Sequence, residues 1–488
     1  MSEMVNKVSQ MKGGVRFCER SLLFGFIGLF AVGTLYADVI VDPSVIIGRI
    51  KPMNAVNNGP KPKPVDQFTS NFEAYEKLEI PFARTHDANF CSAYGGPHTV
   101  DVSAVFPNFD ADENDTNSYD FACTDKYVGD IIAAGTEPYF RLGQTIEHQV
   151  KKHHIFPPKD FAKWARICEH IIRHYTEGWS NGFTHRIRYW EIWNEFDNFE
   201  DSFPNEKKTT WGGTEAQFHD FYETVAKHLK GVFPHLMIGG PSLAYREQWG
   251  YRFIKEMSRR KVPLDFYSWH YYWEDPKELM GRGVRMRKWL DESGYEKTES
   301  HLNEWNYVRD FQTGFVYSLE MEKGMKGAAY AAAVMCECQN GPVDVLMYYD
   351  ARIGTGMNGL FSHVGLKPLK TYWAFLAWAK LAKVGTQVKC DLTGKDAECK
   401  DIWVTAVADE GRIKILLVRY NKDDNVTTTR PIRVGIGRPL KGAMVRMCDN
   451  YYSFGEFAPQ MKNDDLLIPM MPESFVLIEQ DDVFSVTR

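Results

Sequence analysis

The sequence predicts an α/β protein: a (β/α)8 barrel followed by a smaller all-β module. Three observations carry that expectation. Short β-rich runs alternate with amphipathic helical stretches as far as residue 384, and repeated βα units build a parallel sheet that closes when there are eight. Beyond residue 384 the helical pattern stops, and strand-like runs separated by turn residues follow. The chain has 488 residues, which suits one large barrel plus a second module.

The elements run in order. Strand-like runs at 39–41 and 45–50 come first, and the barrel's first strand is expected near 46–51. Seven more follow at 82–85, 137–141, 189–193, 237–239, 266–269, 300–303 and 345–348. The stretch 161–175 places Trp164, Cys168, Ile171 and Tyr175 on one stripe at helical spacing. Stretches 218–232, 322–339 (Ala-rich) and 368–384 are read as further helices. The β module takes 402–407, 413–420, 427–434, 443–448 and 474–479, arranged as a sandwich to which 39–41 adds a strand. The expected divisions are a signal peptide (1–37), a strand joining the sandwich (38–47), the barrel (48–384) and the sandwich (385–488).

The net charge of −6, with no basic stripe, argues against a nucleic-acid partner. Lys7, Lys12, Arg16 and Arg20 precede an apolar run, 21–36, that ends at Ala37. A positive flank, a short apolar stretch and a small residue form the pattern of an export signal. The run is short for a membrane span, and an uncleaved N-terminal anchor is the alternative. Loss of Cys18 leaves an even number of the nine Cys, and Cys390 and Cys399 are the pair first expected to bridge. Cys336 and Cys338 read as buried helix residues. Aromatics are abundant at 14%, with 13 Trp, which suits either a large core or a sugar site, because a pyranose face stacks on a flat ring.

Barrel enzymes carry their chemistry at the C-terminal ends of strands. Two such ends hold acids. The run Tyr189-Trp190-Glu191-Ile192-Trp193 leads into Asn194-Glu195 on the fourth strand, and Ser300-His301-Leu302-Asn303 leads into Glu304-Trp305-Asn306 on the seventh. Two carboxylates across a cleft are what glycosidic cleavage needs, one protonated to help the leaving oxygen and one ionised to attack the anomeric carbon. One such Glu alone could be a surface residue after a strand. Two on these strands are less easily explained that way.

The segment 190–195 resembles the acid/base motif of the clan A retaining barrel glycosidases. Arg84-Thr85-His86-Asp87, Tyr119-Asp120-Phe121, Gly135-Thr136-Glu137-Pro138-Tyr139, Gly239-Gly240-Pro241, His270-Tyr271-Tyr272 and Glu304-Trp305-Asn306 resemble, in order and spacing, glycoside hydrolase family 39, the β-xylosidases and α-L-iduronidases. The resemblance spans about 47–381. It implies Glu195 as acid/base and Glu304 as nucleophile. Asn194 would bond the hydroxyl beside the anomeric carbon, His86 would bind the innermost sugar, and His270 and Tyr272 would contact substrate or orient Glu304. Arg84 would support the nucleophile's charge or form a barrel-interior salt bridge, readings that do not exclude each other. Asp87, Trp305 and Asp350 complete the implied binding set. No cofactor and no metal are implied, and the partner is a glycoside.

Two departures stand out. Phe196 takes the place of the family's Pro after the acid/base, where Pro shapes the loop and does no chemistry. Tyr272 takes the place of the Lys that meets the substrate carboxylate in the iduronidase branch, which argues against a uronic acid unless Arg352 or Lys151 substitutes. The acidic stretch 90–117 either shapes the pocket or is a solvated face.

Other local signals carry no function in their context. Residues 354–359 match a dinucleotide fingerprint by letter but lack its strand–turn–helix context. His170 and His174 are spaced like helix metal ligands but lack the accompanying acid. No Gly-x-Ser-x-Gly elbow occurs, which argues against a serine hydrolase. The competing expectations are an exo-acting retaining β-xylosidase-like enzyme, an endo- or disaccharide-releasing relative, and a non-catalytic sugar-binding protein on the same scaffold.

Overall fold

A computed structural model describes residues 37–61, 70–86, 98–352, 356–394, 399–409 and 411–481. The expected signal segment, Asp87 and the start of the Gly354 loop lie outside these residues. The first strand, β1 (Ala37–Arg49), precedes the barrel. The barrel itself is β2 (Ala55–Asn57), β3 (Phe82–Arg84), β4 (Glu137–Leu142), β5 (Tyr189–Ile192), β6 (Met237–Leu243), β7 (Phe266–His270), β8 (Glu299–Trp305) and β9 (Val345–Tyr348). Each pairs in parallel with the next, and β9 closes on β2.

The strand period of two sorts the barrel residues. Outward side chains such as Phe140, Trp190, Ile238, Tyr267 and Leu346 join the helices in the main core. Inward ones form layers. Phe82, Tyr139, Tyr189, Phe266 and Val345 make an apolar floor. Two residues further along their strands, Arg84 and Glu191 replace apolar atoms with charge, and the chemistry begins there. The helix Phe161–Thr176 buries its predicted stripe, with Trp164, Cys168, Ile171 and Tyr175 all in the core.

The expected first barrel strand near 46–51 is corrected. Those residues belong to β1, which pairs with strands of the other sheet, and Ile46 and Ile47 are 68% and 52% exposed. The true first strand is three residues long, Ala-Val-Asn, and too short to show periodicity in a sequence.

The β module is built from β10 (Thr386–Thr393), β11 (Ile402–Asp409), β12 (Arg412–Tyr420), β13 (Arg430–Gly435), β14 (Met444–Cys448), β15 (Ser453–Glu456), β16 (Gln460–Lys462), β17 (Asp465–Met470) and β18 (Glu473–Asp481). With β1 they form one hydrogen-bonded sheet in the order β15-β14-β18-β12-β11-β10-β1-β13-β17-β16. Both halves of that sheet contribute to a second core, with Ile415 and Ile478 from one half and Ile432 and Ile468 from the other. The opposite face of β12 and β18 packs on the barrel's helix Met325–Gln339, whose Ala residues permit close approach. Trp403 Nε1 donates to Glu337 at 2.6 Å and the Tyr420 hydroxyl to the Glu274 carbonyl at 2.6 Å, so the two parts are joined by bonds as well as by apolar area. Cys336 and Cys338 are buried in that helix, while Cys390 is a free thiol whose Sγ donates to the Val388 carbonyl, so the expected bridge to Cys399 is not made.

Candidate active site

Arg84 sits at the centre of the barrel mouth, with no solvent exposure. A guanidinium has five N–H donors, and here all five are used. Nε donates to Glu191 Oε2 at 2.6 Å. Nη1 donates to Glu304 Oε1 at 2.7 Å and Asn57 Oδ1 at 3.1 Å, and Nη2 to Asn194 Oδ1 at 2.7 Å and Ser242 Oγ at 2.9 Å. Both expected readings of Arg84 therefore hold at once: it is a barrel-interior ion pair with Glu191 and a counter-charge for Glu304. Glu191 is fixed in turn by Asn303 Nδ2 at 2.5 Å.

Glu304 lies in β8, and its side chain is 5% exposed. Besides Arg84 it accepts the Tyr272 hydroxyl on Oε2 at 2.8 Å. His86 Nε2 stands 3.2 Å and His270 Nε2 3.4 Å from its Oε1. Arg84 brings a cation to this carboxylate and the Tyr272 hydroxyl a donor.

Glu195 lies three residues beyond β5, and its side chain is 12% exposed. Its backbone is in the left-handed region at φ 50°, as are Trp193 at 71° and Ser242 at 59°. Non-glycine residues there are strained and persist only where the surroundings hold them. The holding bonds are visible. Glu195 N–H donates to the Ser242 carbonyl at 2.9 Å, Trp193 N–H to Leu142 at 3.0 Å, and the Thr210 hydroxyl to the Glu195 carbonyl at 2.6 Å. Gly143 lets the chain pass, since a Cβ there would stand 2.9 Å from Trp193 Cα. The Glu195 carboxylate meets Asn198 Nδ2 at 2.7 Å and His270 Nδ1 at 2.8 Å.

His270 bridges the two glutamates and is fully buried. Burial pushes its pKa down to about 3, and the Arg84 charge acts in the same direction while Glu304 opposes it. The imidazole is therefore neutral at ordinary pH, with one proton for two contacts: Glu195 on Nδ1 and Ser242 Oγ on Nε2 at 2.6 Å. Asn194 uses Oδ1 to accept from Arg84 and Ser242, and its buried Nδ2 has no partner among the described residues.

The structure thus brings together Glu195, Glu304, Arg84, His86, Asn194, His270 and Tyr272. Two expected binding residues are corrected. Trp305 is fully buried, and its ring packs on Tyr330 and Tyr348 in the helix layer. It follows Glu304 in the strand, and neighbours in a strand point to opposite faces. Asp350 is also fully buried, accepting from Asn58 Nδ2 at 3.3 Å and the Arg352 amide at 2.9 Å, and presents no surface to a sugar.

Ser242, Glu191, Asn57 and Asn303 were missed by sequence reasoning. Ser242 directly follows the quoted Gly239-Gly240-Pro241, and Glu191 stands inside the quoted Trp190–Glu195 run. Strand alternation from Glu191 back to the floor residue Tyr189 would have placed it inside the barrel. The spaced histidines are structural: His174 bonds Asp125 at 2.9 Å and stacks on Phe121, and His170 stacks on Trp179.

Glu195, His270 and Glu304 offer ligand atoms within 4.8 Å of one another, a group that could hold a cation. The Arg84 guanidinium already stands on Glu304 Oε1, so a second positive charge would be repelled there.

Comparison with known proteins agrees with the motif reading. The sequence model for glycosyl hydrolases family 39 matches residues 96–323. A β-xylosidase of Geobacillus stearothermophilus is 24% identical over 250 residues, covering 45% of this chain and 46% of that protein, so the match spans about half of the relative's length. A glucosidase structure from Croceicoccus marinus superposes with a TM-score of 0.73 at 21% identity, covering 92% of this chain and 99% of that one. A family 39 β-xylosidase structure from Caulobacter crescentus gives 0.63 at 17% identity, covering 91% and 99%. At these identities the two structural likenesses speak for the fold, and the sequence model together with the ordered motifs speaks for the family. The likeness to glycosyl hydrolases family 39 thus rests on residues 96–323, a little under half of the chain, and on the ordered motifs.

Proposed function

We propose that the chain is an exo-acting retaining glycosidase of neutral β-glycosides, β-xylosides foremost, working by double displacement. The observation that carries this is the spacing and asymmetry of the two glutamates. Oxygens of Glu195 and Glu304 lie within 4.8 Å of each other. Retaining pairs stand about 5–5.5 Å apart and inverting pairs about 6.5–9.5 Å, which leaves room for a water.

The surroundings assign the roles. Glu304, held by Arg84 and Tyr272, attacks the anomeric carbon as the glycosidic bond breaks, and a glycosyl ester forms. Glu195, the more exposed of the two, gives its proton to the leaving oxygen. It then takes a proton from the water that cleaves the ester. His270 fits both states of Glu195. Against an ionised Glu195 its proton sits on Nδ1, and Ser242 donates to Nε2. Against a protonated Glu195 the proton sits on Nε2, and Ser242 turns its own to Asn194 Oδ1, 3.1 Å away. The unpartnered Nδ2 of Asn194 suits the sugar hydroxyl beside the anomeric carbon.

A neutral sugar is supported by Tyr272 and by Arg352, whose Nε stands 3.8 Å from Asp350 and is charge-matched there. The β-xylosidase relative directs the choice of first substrate. A panel of aryl β- and α-glycosides, with proton NMR of the first-formed anomer, tests the reading. Release of the β-anomer from a β-xyloside is expected, and initial release of the α-anomer would overturn retention. Export is proposed from the N-terminal pattern alone. The mature mass should lack residues 1–37, and a mature chain that keeps them would refute cleavage.

A further inference from the structure

Two residues beyond the acid/base, Asp197 is a carboxylate with no solvent exposure that the catalytic scheme does not use. An Asp is almost never fully buried without partners. Here the partners are three consecutive backbone amides of another loop. Oδ1 accepts the Ala244 N–H at 2.7 Å, and Oδ2 accepts those of Tyr245 at 3.0 Å and Arg246 at 2.8 Å. We infer that Asp197 is a positioning residue for Glu195: it fastens the loop that carries the acid/base to the loop that carries Ser242, and it sets a second negative charge two residues from the acid/base. The inference rests on the reading of Glu195 as acid/base and adds a residue to it.

The amides stand at the start of the helix Glu247–Arg259, whose own N-cap residue, Arg246, makes no side-chain cap bond. A helix start presents unpaired N–H groups and a positive dipole end, and Asp197 meets both from the neighbouring loop. The same two loops touch at further points. Glu195 N–H donates to the Ser242 carbonyl, the Tyr245 hydroxyl donates to the Asn198 carbonyl at 2.8 Å, and Arg246 Nη1 lies 2.9 Å from Glu200 Oε1. Asn198 is in turn the residue whose Nδ2 bonds the Glu195 carboxylate. Tyr245 and the Glu200 side chain are more than half exposed, so water competes for their bonds, whereas the Asp197 bonds are shielded from it. Glu195, held at a φ of 50°, needs such outside support.

Charge carries the second half of the argument. Burial pushes the Asp197 carboxyl up to about 6; the three amides oppose that rise, and the Glu195 charge adds to it. Repulsion between two carboxylates is mutual. An ionised Asp197 therefore favours the protonated form of Glu195, the form that serves the leaving oxygen. The other titratable and charged groups that sense Asp197 are Tyr267 on β7 and Arg282 on the helix Pro276–Asp291. The Arg282 charge is shared with Glu247, 3.8 Å from its Nε. An Asn at position 197 would fill the same space, but with one oxygen for three donors and no charge.

The test compares the parent with Asp197→Asn on two substrates. The leaving group of 2,4-dinitrophenyl β-xyloside needs little help from an acid, whereas that of β-1,4-xylobiose needs a proton. The variant should keep kcat/KM for the activated phenol within about twofold and lose about tenfold on xylobiose, a part of the roughly 10²–10⁴-fold worth of acid/base help. The alkaline limb of its kcat/KM profile on xylobiose should move about one unit toward lower pH, the direction set by removing a like charge beside the acid. Equal losses on both substrates with an unmoved limb would reduce Asp197 to a helix cap and overturn the inference, and so would parental kinetics. Should Asp197→Asn not fold, a titration of protein ¹³C-labelled at the aspartate carboxyls decides. One signal of the parent should titrate near pH 6 and move to lower pH in Glu195→Gln. A midpoint that stays, or no aspartate titrating in that range, overturns the inference. If the parent hydrolyses neither substrate, the β-xyloside reading has failed, and the same titration decides separately whether Asp197 acts on Glu195.

Discussion

His270 gives the sharpest handle on the site, because its burial has a thermodynamic consequence. The folded imidazole has its pKa pushed down to about 3, against about 6.5 in the unfolded chain. Between those values the unfolded state binds one proton more than the folded state, so stability falls as pH falls. The contribution is fully present above about pH 6.5 and is lost progressively as pH drops toward 3. Between pH 7.5 and 4.5 the unfolded imidazole titrates over about two units below its pKa, which at about 1.36 kcal/mol per unit costs roughly 2.7 kcal/mol. His270→Asn removes the titrating group and keeps a donor near the Nδ1 position. Carboxylates remote from position 270 titrate alike in both proteins and cancel in the difference. Denaturant unfolding across this range should show the parent losing about 2–3 kcal/mol more than the variant, and the imidazole ¹⁵N signals should stay those of a neutral ring down to pH 4.5. Parallel pH dependences, or an imidazole that titrates with a midpoint near 6.5 in the folded protein, would refute the reasoning.

The two glutamates should fail differently. Glu304→Ala removes the attacking group, so good and poor leaving groups should both fail, and azide should give a product of inverted configuration. Glu195→Ala should keep its first step on activated phenols and accumulate glycosyl-enzyme, with azide rescuing it under retention. The contrast between leaving groups should approach the roughly 10²–10⁴-fold worth of acid/base help, and reversed azide stereochemistry would exchange the roles. Arg84→Lys keeps a charge but replaces five fixed donors with three. It should lower kcat by about 100-fold or more, by analogy with losing one preorganised donor, and a variant of parental kcat would show that the network is not needed. Trp305→Phe should lower the thermal midpoint while leaving KM within about twofold, and a large KM effect would return Trp305 to the substrate.

Legibility in the sequence followed the length scale of each signal. The helix Phe161–Thr176 shows a 3.6-residue stripe, and Trp164, Cys168, Ile171 and Tyr175 fall in the core where that stripe puts them. Barrel strands of four or more residues stand out as β-rich runs between helices. β2 and β3 are each three residues long; β3 is legible as a strand, whereas β2, too short to show a period, is displaced by the longer apolar run in β1, although β1 is mostly exposed and belongs to the other sheet. β15 and β16 escaped for the same reason, being four and three residues long and largely exposed. At the site, motif reading found the residues that face the cleft and also swept in their neighbours. Glu304 and Trp305 are adjacent letters, but a strand sends one into the barrel and the other into the helix layer. The converse error hid Glu191 and Ser242. Each lies within or beside a recognised motif, yet its importance comes from one partner, Arg84, which is 107 residues from Glu191 and 158 from Ser242 in the chain. Local pattern reports which face a side chain takes. It does not report that one guanidinium, emptied of water, must find an acceptor for each of five donors, and that requirement recruits Asn57, Glu191, Asn194, Ser242 and Glu304 from four strands and the turn after β5 to a single point.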